Sequence, residues 1–401
     1  MARFLLIAYT TYVHDGRVKR HAEALAERGD HVDVICLDSG HNGVLQGVNV
    51  IGLQMPRYRG ASRSSYMRSY LRFFAKASWT ALRLSLAERY DVAIVCTMPD
   101  AAVLCALPAR LLGTRIVLDV HDTMPELYQD KFGGRRGAMG ARLLMLEERT
   151  SARCADTVLA VHALHRARLI RAGVPEHKIR TVMNAPDPAL FSALPDRRDR
   201  ADGSFIVACH GTLTRRLGLD IAIEAIALAR PRIPGLRLMV IGTGDYLEAA
   251  GQLVTRKQLD QCVSFTDQVP VQELPRLLAG ADVGLVPNRA SNATHLMLPV
   301  KLLDYMALGI PTIAARLRTI EHYFSDREVR FFEPGDAGGL AAAIEELHGD
   351  RARRVELAHN ARRAMERIGW PAQRAEYYRA IDALLQKPSA RARCDHPERA
   401  A

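Results

Sequence analysis

Short apolar runs and stretches of helical period alternate along the chain from its first residues. FLLIAY (4–9) is a run of strand-forming residues; Val18, Ala22 and Leu25 then recur on one face of a helix that Gly29 ends, and HVDVICL (31–37) opens the next run. The cycle continues through DVAIVC (91–96), TRIVLDV (114–120), DTVLAV (156–161) and IRTVMN (179–184). Strands separated by helix-length segments predict βαβ units and a parallel sheet, because parallel neighbours need a crossover.

At DRRDRADGS (196–204) the apolar period gives way to charge and glycine, and a domain boundary is expected there. The alternation restarts at FIVACHG (205–211), with a helix at 219–230, then LRLMVIG (236–242), CVSFTD (262–267), DVGLVP (282–287) and PTIAA (311–315). The predicted organisation is α/β throughout: a doubly wound domain over 1–197, a second over 204–369, a final helix at 370–386 and a polar tail at 387–401. Ligands of open α/β sheets bind beyond the carboxyl ends of the strands, so a cleft between two such sheets is the expected site. TTYVHDGR after the first strand contains no G-x-G-x-x-G, which argues against a nicotinamide dehydrogenase.

Composition changes this picture in three ways. The 401 residues suit two domains rather than one, and the net charge of +11 calls for an anionic partner: nucleic acid, anionic lipid or a phosphorylated substrate. The seven cysteines (36, 96, 105, 154, 209, 262 and 394) are scattered through apolar runs with no C-x2-C pair, which predicts core thiols in a reducing cytosol rather than zinc ligands or disulfides. The first apolar stretch is too short for a signal peptide, and no run reaches the roughly 20 apolar residues that cross a bilayer.

The densest candidate chemistry is LPVKLLDYMALGIPTIAA (298–315). Pro299 suits a first helical turn and Gly309 its end; a helix start beside a sheet edge offers N–H groups and a positive dipole end to a phosphate, and Lys301 adds a full charge. An ordinary core helix with an incidental lysine explains the same residues. HGTLTRRLGLDIAIEAI (210–226) puts Arg215 and Arg216 in a loop between strand and helix, where guanidinium forks suit a diphosphate, although paired arginines are more often solvated. IGTGDY (241–246) places Gly242 and Gly244 in a tight turn after a strand.

These segments, with DGRVKRHAEALAERGDHVDVI (15–35), LDVHDTMPE (118–126), VMNAPDPALF (182–191), HGTLTRRLG (210–218), VIGTGD (240–245), ADVGLVP (281–287) and KLLDYMALGIPTI (301–313), resemble the retaining glycosyltransferases of family four, the glycosyl transferases group 1, from about residue 3 to 386. The resemblance implies a GT-B fold, two Rossmann-like domains facing each other across a cleft. It also implies transfer of a sugar from a nucleotide-sugar donor, UDP-linked most often in the family, to a polysaccharide-precursor, lipid-linked or small-molecule acceptor. The C-terminal domain should then hold the donor through Gly211, Thr212, Arg215, Gly242, Gly244, His295, Val300, Leu302 and Asp304, the last on the ribose hydroxyls. His121, Asp122, Arg216 and Lys301 stand where the family places groups beside the reacting carbon and the diphosphate. Asp15, Gly16, Arg17, Glu126 and His162 should face the acceptor, and the helix from about 371 should return to the N-terminal domain. The chain holds no Asp-x-Asp, the usual metal–diphosphate clamp of the other glycosyltransferase fold, so no metal and no cofactor beyond the nucleotide-sugar co-substrate is expected. Positive groups would stabilise the leaving diphosphate instead.

Two positions depart from the family. Leu296 stands where the first glutamate of its acidic pair should be, with Thr294 or His295 as substitutes, and Thr212 and Leu217 replace the usual Arg and Lys, with Arg215 and Arg216 as compensation. These losses also suit a degenerate homologue that binds a nucleotide sugar or a partner protein without turnover. An epimerase of the same fold would need an acid–base constellation that does not assemble here, and a nucleic-acid binder would need an exposed basic and aromatic face.

One such basic segment exists. Residues 57–89 hold eight Lys/Arg against one acid, Glu88. On a helical wheel Arg68, Arg72, Lys76 and Arg83 fall within roughly 80° of each other, with Met67, Tyr70, Leu71, Phe74 and Ala81 opposite and Trp79 on the basic side. This is either a core-packed helix with a solvated basic face or a docking surface for anionic lipid headgroups, which would make the protein cytoplasmic and peripheral on the inner membrane face.

Overall fold

The computed structural model describes residues 1–38, 40, 42–55, 63–192 and 202–386. It divides into two units, Met1–Met183 with Arg374–Ala401, and Asn184–Gln373. Residues 193–201, which overlap the expected boundary at 196–204, and the expected tail at 387–401 lie outside the described residues.

The first unit is an eight-stranded sheet of β1 (Arg3–Thr11), β2 (His31–Leu37), β3 (Gly43–Leu45), β4 (Val48–Leu53), β5 (Val92–Cys96), β6 (Arg115–Val120), β7 (Thr157–Ala160) and β8 (Ile179–Thr181), in the order β3-β4-β2-β1-β5-β6-β7-β8. Its helices are α1 (Gly16–Glu27), α2 (Arg63–Ala87), α3 (Leu107–Leu111), α4 (Met124–Phe132), α5 (Gly134–Cys154) and α6 (Ala163–Arg171). The second unit pairs β9 (Phe205–His210), β10 (Leu236–Ile241), β11 (Val263–Thr266), β12 (Val283–Val286), β13 (Thr312–Ala315) and β14 (Arg330–Phe332) in the order β11-β10-β9-β12-β13-β14. Its helices are α7 (Leu219–Ala229), α8 (Leu247–Arg256), α9 (Leu274–Leu278), α10 (Val300–Leu308), α11 (Arg318–Tyr323), α12 (Ala337–Gly349) and α13 (Arg351–Ile368); α14 (Trp370–Leu385) closes the described chain.

β1 shows why the strands read as unbroken apolar runs. Phe4, Leu6 and Ala8 point into a core with α1 and α14, while Leu5, Ile7 and Tyr9 point into a second core with α2. Helices on both faces leave no polar side to alternate. Among the described residues every strand pairing in both sheets is parallel except β3 with β4, a hairpin that the alternation did not predict. Its turn, Gln46 (φ 49) and Gly47 (φ 80), puts two residues in left-handed conformation, as two-residue hairpins demand.

The first crossing between units falls at Met183/Asn184 rather than in the charged stretch, because Phe191 is already buried in the second unit's core. In α14, Tyr377, Ala380, Ile381 and Leu384 complete the core of the first unit. α2 differs from its wheel. The stripe turned to the sheet is Ser69, Phe73, Ala77, Ala81 and Ser85, and Met67 and Leu71 are exposed together with Trp79. Small residues let the helix lie close to the strands, and Ser69 is satisfied at 2.6 Å by the Tyr9 hydroxyl. Phe73 fills the space between these small residues, with Tyr70 and Phe74 packed at its sides. Cys36, Cys96, Cys105, Cys209 and Cys262 are buried free thiols. Among the described residues no helix is long and apolar enough to cross a membrane.

Candidate active site

In the first unit the chemistry collects at the carboxyl end of β6. Asp15 caps α1, its side chain accepting from Val18 N at 3.1 Å, and Gly16 is exposed as the first helical residue. Arg17 then turns inward instead of toward an acceptor. It is 3% exposed; its Nε donates to both Asp119 oxygens at 3.2 and 3.0 Å, one Nη to Asp119 at 2.6 Å and the other to Val182 O at 2.9 Å. With every terminal group committed, Arg17 holds Asp119 and is not an acceptor ligand.

Asp119 in turn orients His121, whose Nε2 lies 3.1 Å from the carboxylate and whose backbone N donates to Thr97 Oγ1 at 3.0 Å. Burial raises the Asp119 pKa, but Arg17 and His121 outweigh it and hold the carboxyl well below its usual range. Burial lowers the His121 pKa, but the Asp119 charge and hydrogen bond outweigh it, and the net direction is upward. The buried His21 also sits 3.3 Å from Asp119, an ion-pair distance, yet burial and Arg17 push its pKa down to about 4. Its ring stacks on Tyr377 inside the core, so His21 is neutral near pH 7. Asp122 follows His121 and is half-buried.

Two other expected acceptor contacts are structural. Glu126 accepts from Arg168 Nε at 2.7 Å, and Arg168 also pairs with the buried Glu148, so Glu126 belongs to a carboxylate–guanidinium bridge. His162 is buried and caps α6, its Nδ1 accepting from His165 N at 3.0 Å, which takes the ring out of reach of a ligand.

In the second unit three turns converge beyond the carboxyl ends of the adjacent strands β10, β9 and β12. Gly211 N donates to Ile241 O and Leu213 N to Thr243 O, both at 2.9 Å, so the 211–213 and 242–244 turns are zipped together. A Cβ at Gly242 would sit 2.0 Å from Gly211 O, and one at Gly244 2.1 Å from Leu213 O. Glycine is required here for close approach of two backbones. Gly218 (φ 73) meets the third turn, its Cβ position 1.8 Å from Pro287 O, and Arg289 N donates to Arg216 O at 3.0 Å. Gly211, Thr212, Arg215 and Arg216 are exposed on this platform.

α10 starts beside it. Val300 is exposed, Lys301 is buried in the first turn, and Asp304 is buried one turn on, 3.7 Å from His210 Nε2. Burial and the Lys301 charge push His210 down to about 3, so the ring is neutral. Tyr305 fixes the helix: its hydroxyl donates to Ala208 O at 3.0 Å and accepts from His210 N at 3.2 Å, and its ring fills the space over Gly284.

The remaining donor expectations change. Leu302 has a fully buried side chain, and its N–H goes to Pro299 O at 3.0 Å, so it offers a donor nothing. His295 Nδ1 accepts from Arg318 N at 3.3 Å and Thr294 is buried with its hydroxyl on Arg289 O at 2.6 Å; both brace the loop after β12. Sequence reasoning missed Arg17 as an orienter, His210, Tyr305 and Asn288. Asn288 is fully buried behind Pro287, and among the described residues neither end of its amide has a hydrogen-bond partner. Its position directly after an apolar strand, in LVPN, was the available signal.

Cys96, Asp119 and His121 bring potential ligand atoms within 4.8 Å of one another. They do not fit a metal: Arg17 occupies both Asp119 oxygens, and burial pushes the Cys96 thiol well above its usual value, away from the thiolate a metal needs.

Glycine-built turns and a cationic helix start beyond the carboxyl ends of a doubly wound sheet are the features that suit such an α/β domain to a phosphate. Residues 16–185 match the glycosyl transferase 4-like domain and residues 204–350 match glycosyl transferases group 1, and the chain belongs to this glycosyltransferase family. Among characterised relatives it is 27% identical to the amylovoran biosynthesis glycosyltransferase AmsK of Erwinia amylovora, over 53% of this chain and 52% of that one. It is 28% identical to the GDP-mannose-dependent alpha-(1-6)-phosphatidylinositol monomannoside mannosyltransferase of Mycolicibacterium smegmatis, over 51% and 56%. These matches span about half the length of the relatives. Sucrose-phosphate synthase of Thermosynechococcus elongatus superposes with a TM-score of 0.75 at 20% identity, over 96% of this chain and all of that one. Anabaena HepE, solved with UDP and glucose, does so with a TM-score of 0.73 at 18% identity and the same coverage. These structures share the GT-B fold with this chain.

Proposed function

We propose that the protein is a metal-independent retaining glycosyltransferase that moves a sugar from a UDP-linked donor to a lipid-linked saccharide acceptor at the cytoplasmic face of the membrane. The observation that carries the donor half is the meeting of the zipped glycine turns at 211–213 and 242–244, the Arg215–Arg216 turn and the Lys301 end of α10 beyond one sheet edge. Backbone N–H groups and fixed cations there are suited to a diphosphate. In the reaction the bond from the anomeric carbon to the diphosphate oxygen breaks. The acceptor oxygen bonds to that carbon on the same face, and its proton passes to the leaving phosphate. Lys301 and Arg216 stabilise the charge on the leaving group. His121, held by Asp119, acts on the sugar with Asp122, and Asp304 takes the ribose. Asp15 and Gly16 remain the acceptor-side contacts of the first unit.

UDP in the HepE structure supports the base, and the phosphatidylinositol mannoside in a relative's name supports a lipid-linked acceptor. GDP is the second reading, favoured by the same relative's GDP-mannose dependence. Leu296, where the family has a glutamate, keeps open a homologue that binds without turnover. The test is thermal unfolding of the protein with UDP-, GDP-, TDP- and ADP-sugars, each with and without EDTA. A ligand bound only by the folded state raises stability by RT ln(1 + [L]/Kd). The UDP-sugars raise the melting temperature equally in both conditions. A rise only with GDP-sugars replaces the base, a rise that EDTA abolishes removes the metal-free mechanism, and no rise at all removes the donor site.

A further inference from the structure

Eleven of the eighteen large apolar side chains exposed among the described residues lie between Met67 and Leu146, on one helical layer of the first unit. That concentration separates this layer from the other, since α1 and α14 expose none. From α2 come Met67, Leu71, Trp79 and Leu86, and from α5 come Met139, Leu143 and Leu146. Trp79 and Leu143 are each 68% exposed, far beyond what a packed side chain shows. The two helices belong to one surface. The helical turn at Asp100–Ala106 joins them, with Ala101 N donating to Glu147 of α5 at 3.0 Å and Cys105 Sγ to Phe74 O of α2 at 3.9 Å. Along α2 the apolar row from Met67 to Leu86 runs about 28 Å.

The charge on this surface has one sign. α2 contains no acid, and its exposed Arg68, Arg72, Lys76 and Arg83 flank the apolar row. α5 exposes Arg142, Arg149 and Arg153, while its two acids are used internally, Glu147 by Ala101 N and the buried Glu148 by Arg168. Large apolar tips interleaved with cations, with no exposed acid on either helix, match one partner: an anionic bilayer, whose headgroups take the cations and whose acyl boundary takes Met, Leu and Trp. A second copy would set cations against cations across a twofold contact. Nucleic acid would leave the leucines and methionines against water.

We infer that the outer face of α2 and α5 is a membrane-docking surface for anionic phospholipid, so that the basic residues of α2 are only half of the site. Its purpose rests on the lipid-linked acceptor proposed above. Vesicle binding needs neither donor nor acceptor, so docking and transfer can fail independently.

The test is co-sedimentation of the full-length protein with phosphatidylcholine vesicles, with and without phosphatidylglycerol. Leu71→Glu and Leu143→Glu are assayed alongside, each first shown by circular dichroism and melting to be folded as wild type. Binding is expected on the anionic vesicles only, weakened by salt, and reduced at least about tenfold by either substitution because each replaces a membrane-buried side chain with a like charge to the lipid. Trp370 is already buried, so a blue shift of tryptophan emission on vesicle addition reports Trp79 entering the interface. No binding to anionic vesicles at low salt, equal binding to neutral ones, or full binding by Leu143→Glu overturns the inference. So does a dimer that Leu143→Glu dissociates, or binding to duplex DNA that anionic vesicles fail to displace.

Discussion

At the residue scale the first unit is organised around one buried anion. Asp119 is inaccessible to solvent, and isolated it would strongly prefer to be protonated; Arg17 and His121 keep it ionised. The chain of control runs Arg17 to Asp119 to His121, and only the last of these is partly open to solvent, 16% by its side chain. A histidine whose folded-state pKa is raised contributes stability in full below its unfolded value near 6.5, and loses it as pH rises through the folded value. Asp119→Asn removes the charge that raises His121, so the His121 titration followed by imidazole NMR moves to lower pH than in wild type. An unchanged midpoint removes Asp119 from the account. The sequence displayed these residues as DGR and LDVHD and marked His121 as a site candidate. It could not show that Arg17 points inward, because one helical residue's direction depends on where the helix meets the sheet. The same holds for Glu126 and His162, polar residues in a site motif whose partners lie 42 residues away for the first and three residues on for the second.

At the scale of elements, most strands were legible because both faces of each sheet are covered and an unbroken apolar run is the direct consequence. What escaped were β3–β4, whose identity lies in a two-residue left-handed turn, and β14, three residues long. α2 was found with its basic residues outward and Tyr70, Phe74 and Ala81 toward the core, but Met67 and Leu71, expected inward, are exposed. α10 shows how tightly an element can be fixed: Tyr305 ties it to β9, and its ring lies 2.4 Å from where a Cβ on Gly284 would be. Gly284→Ala therefore displaces α10 or β12 and destabilises the protein by about 1–3 kcal/mol. Gly251→Ala, in the interior of α8 with nothing within 4 Å of the added carbon, stabilises it by roughly 0.4–1 kcal/mol. Urea unfolding of the two variants checks both signs. A neutral Gly284→Ala would mean that α10 is free to move, and its Lys301 with it.

At the scale of the molecule, each unit gathers its candidate chemistry at the carboxyl ends of its parallel strands: His121 and Asp122 after β6 in the first, the glycine turns and α10 near β9, β10 and β12 in the second. The family membership follows from motifs spread over both units, which is why it was readable from the chain alone. The donor's base and the acceptor were not readable, because they are chosen by a few contacts that no spacing encodes. The most direct measurement is release of nucleoside diphosphate from UDP-sugars in the presence of EDTA, by wild type and by Lys301→Ala. Wild type is expected to release it, with a loss of roughly 10²–10³-fold in kcat for Lys301→Ala, the effect of removing one pre-placed donor from a leaving-group site. Full activity of Lys301→Ala, or release by wild type only when a divalent metal is restored, would contradict this expectation.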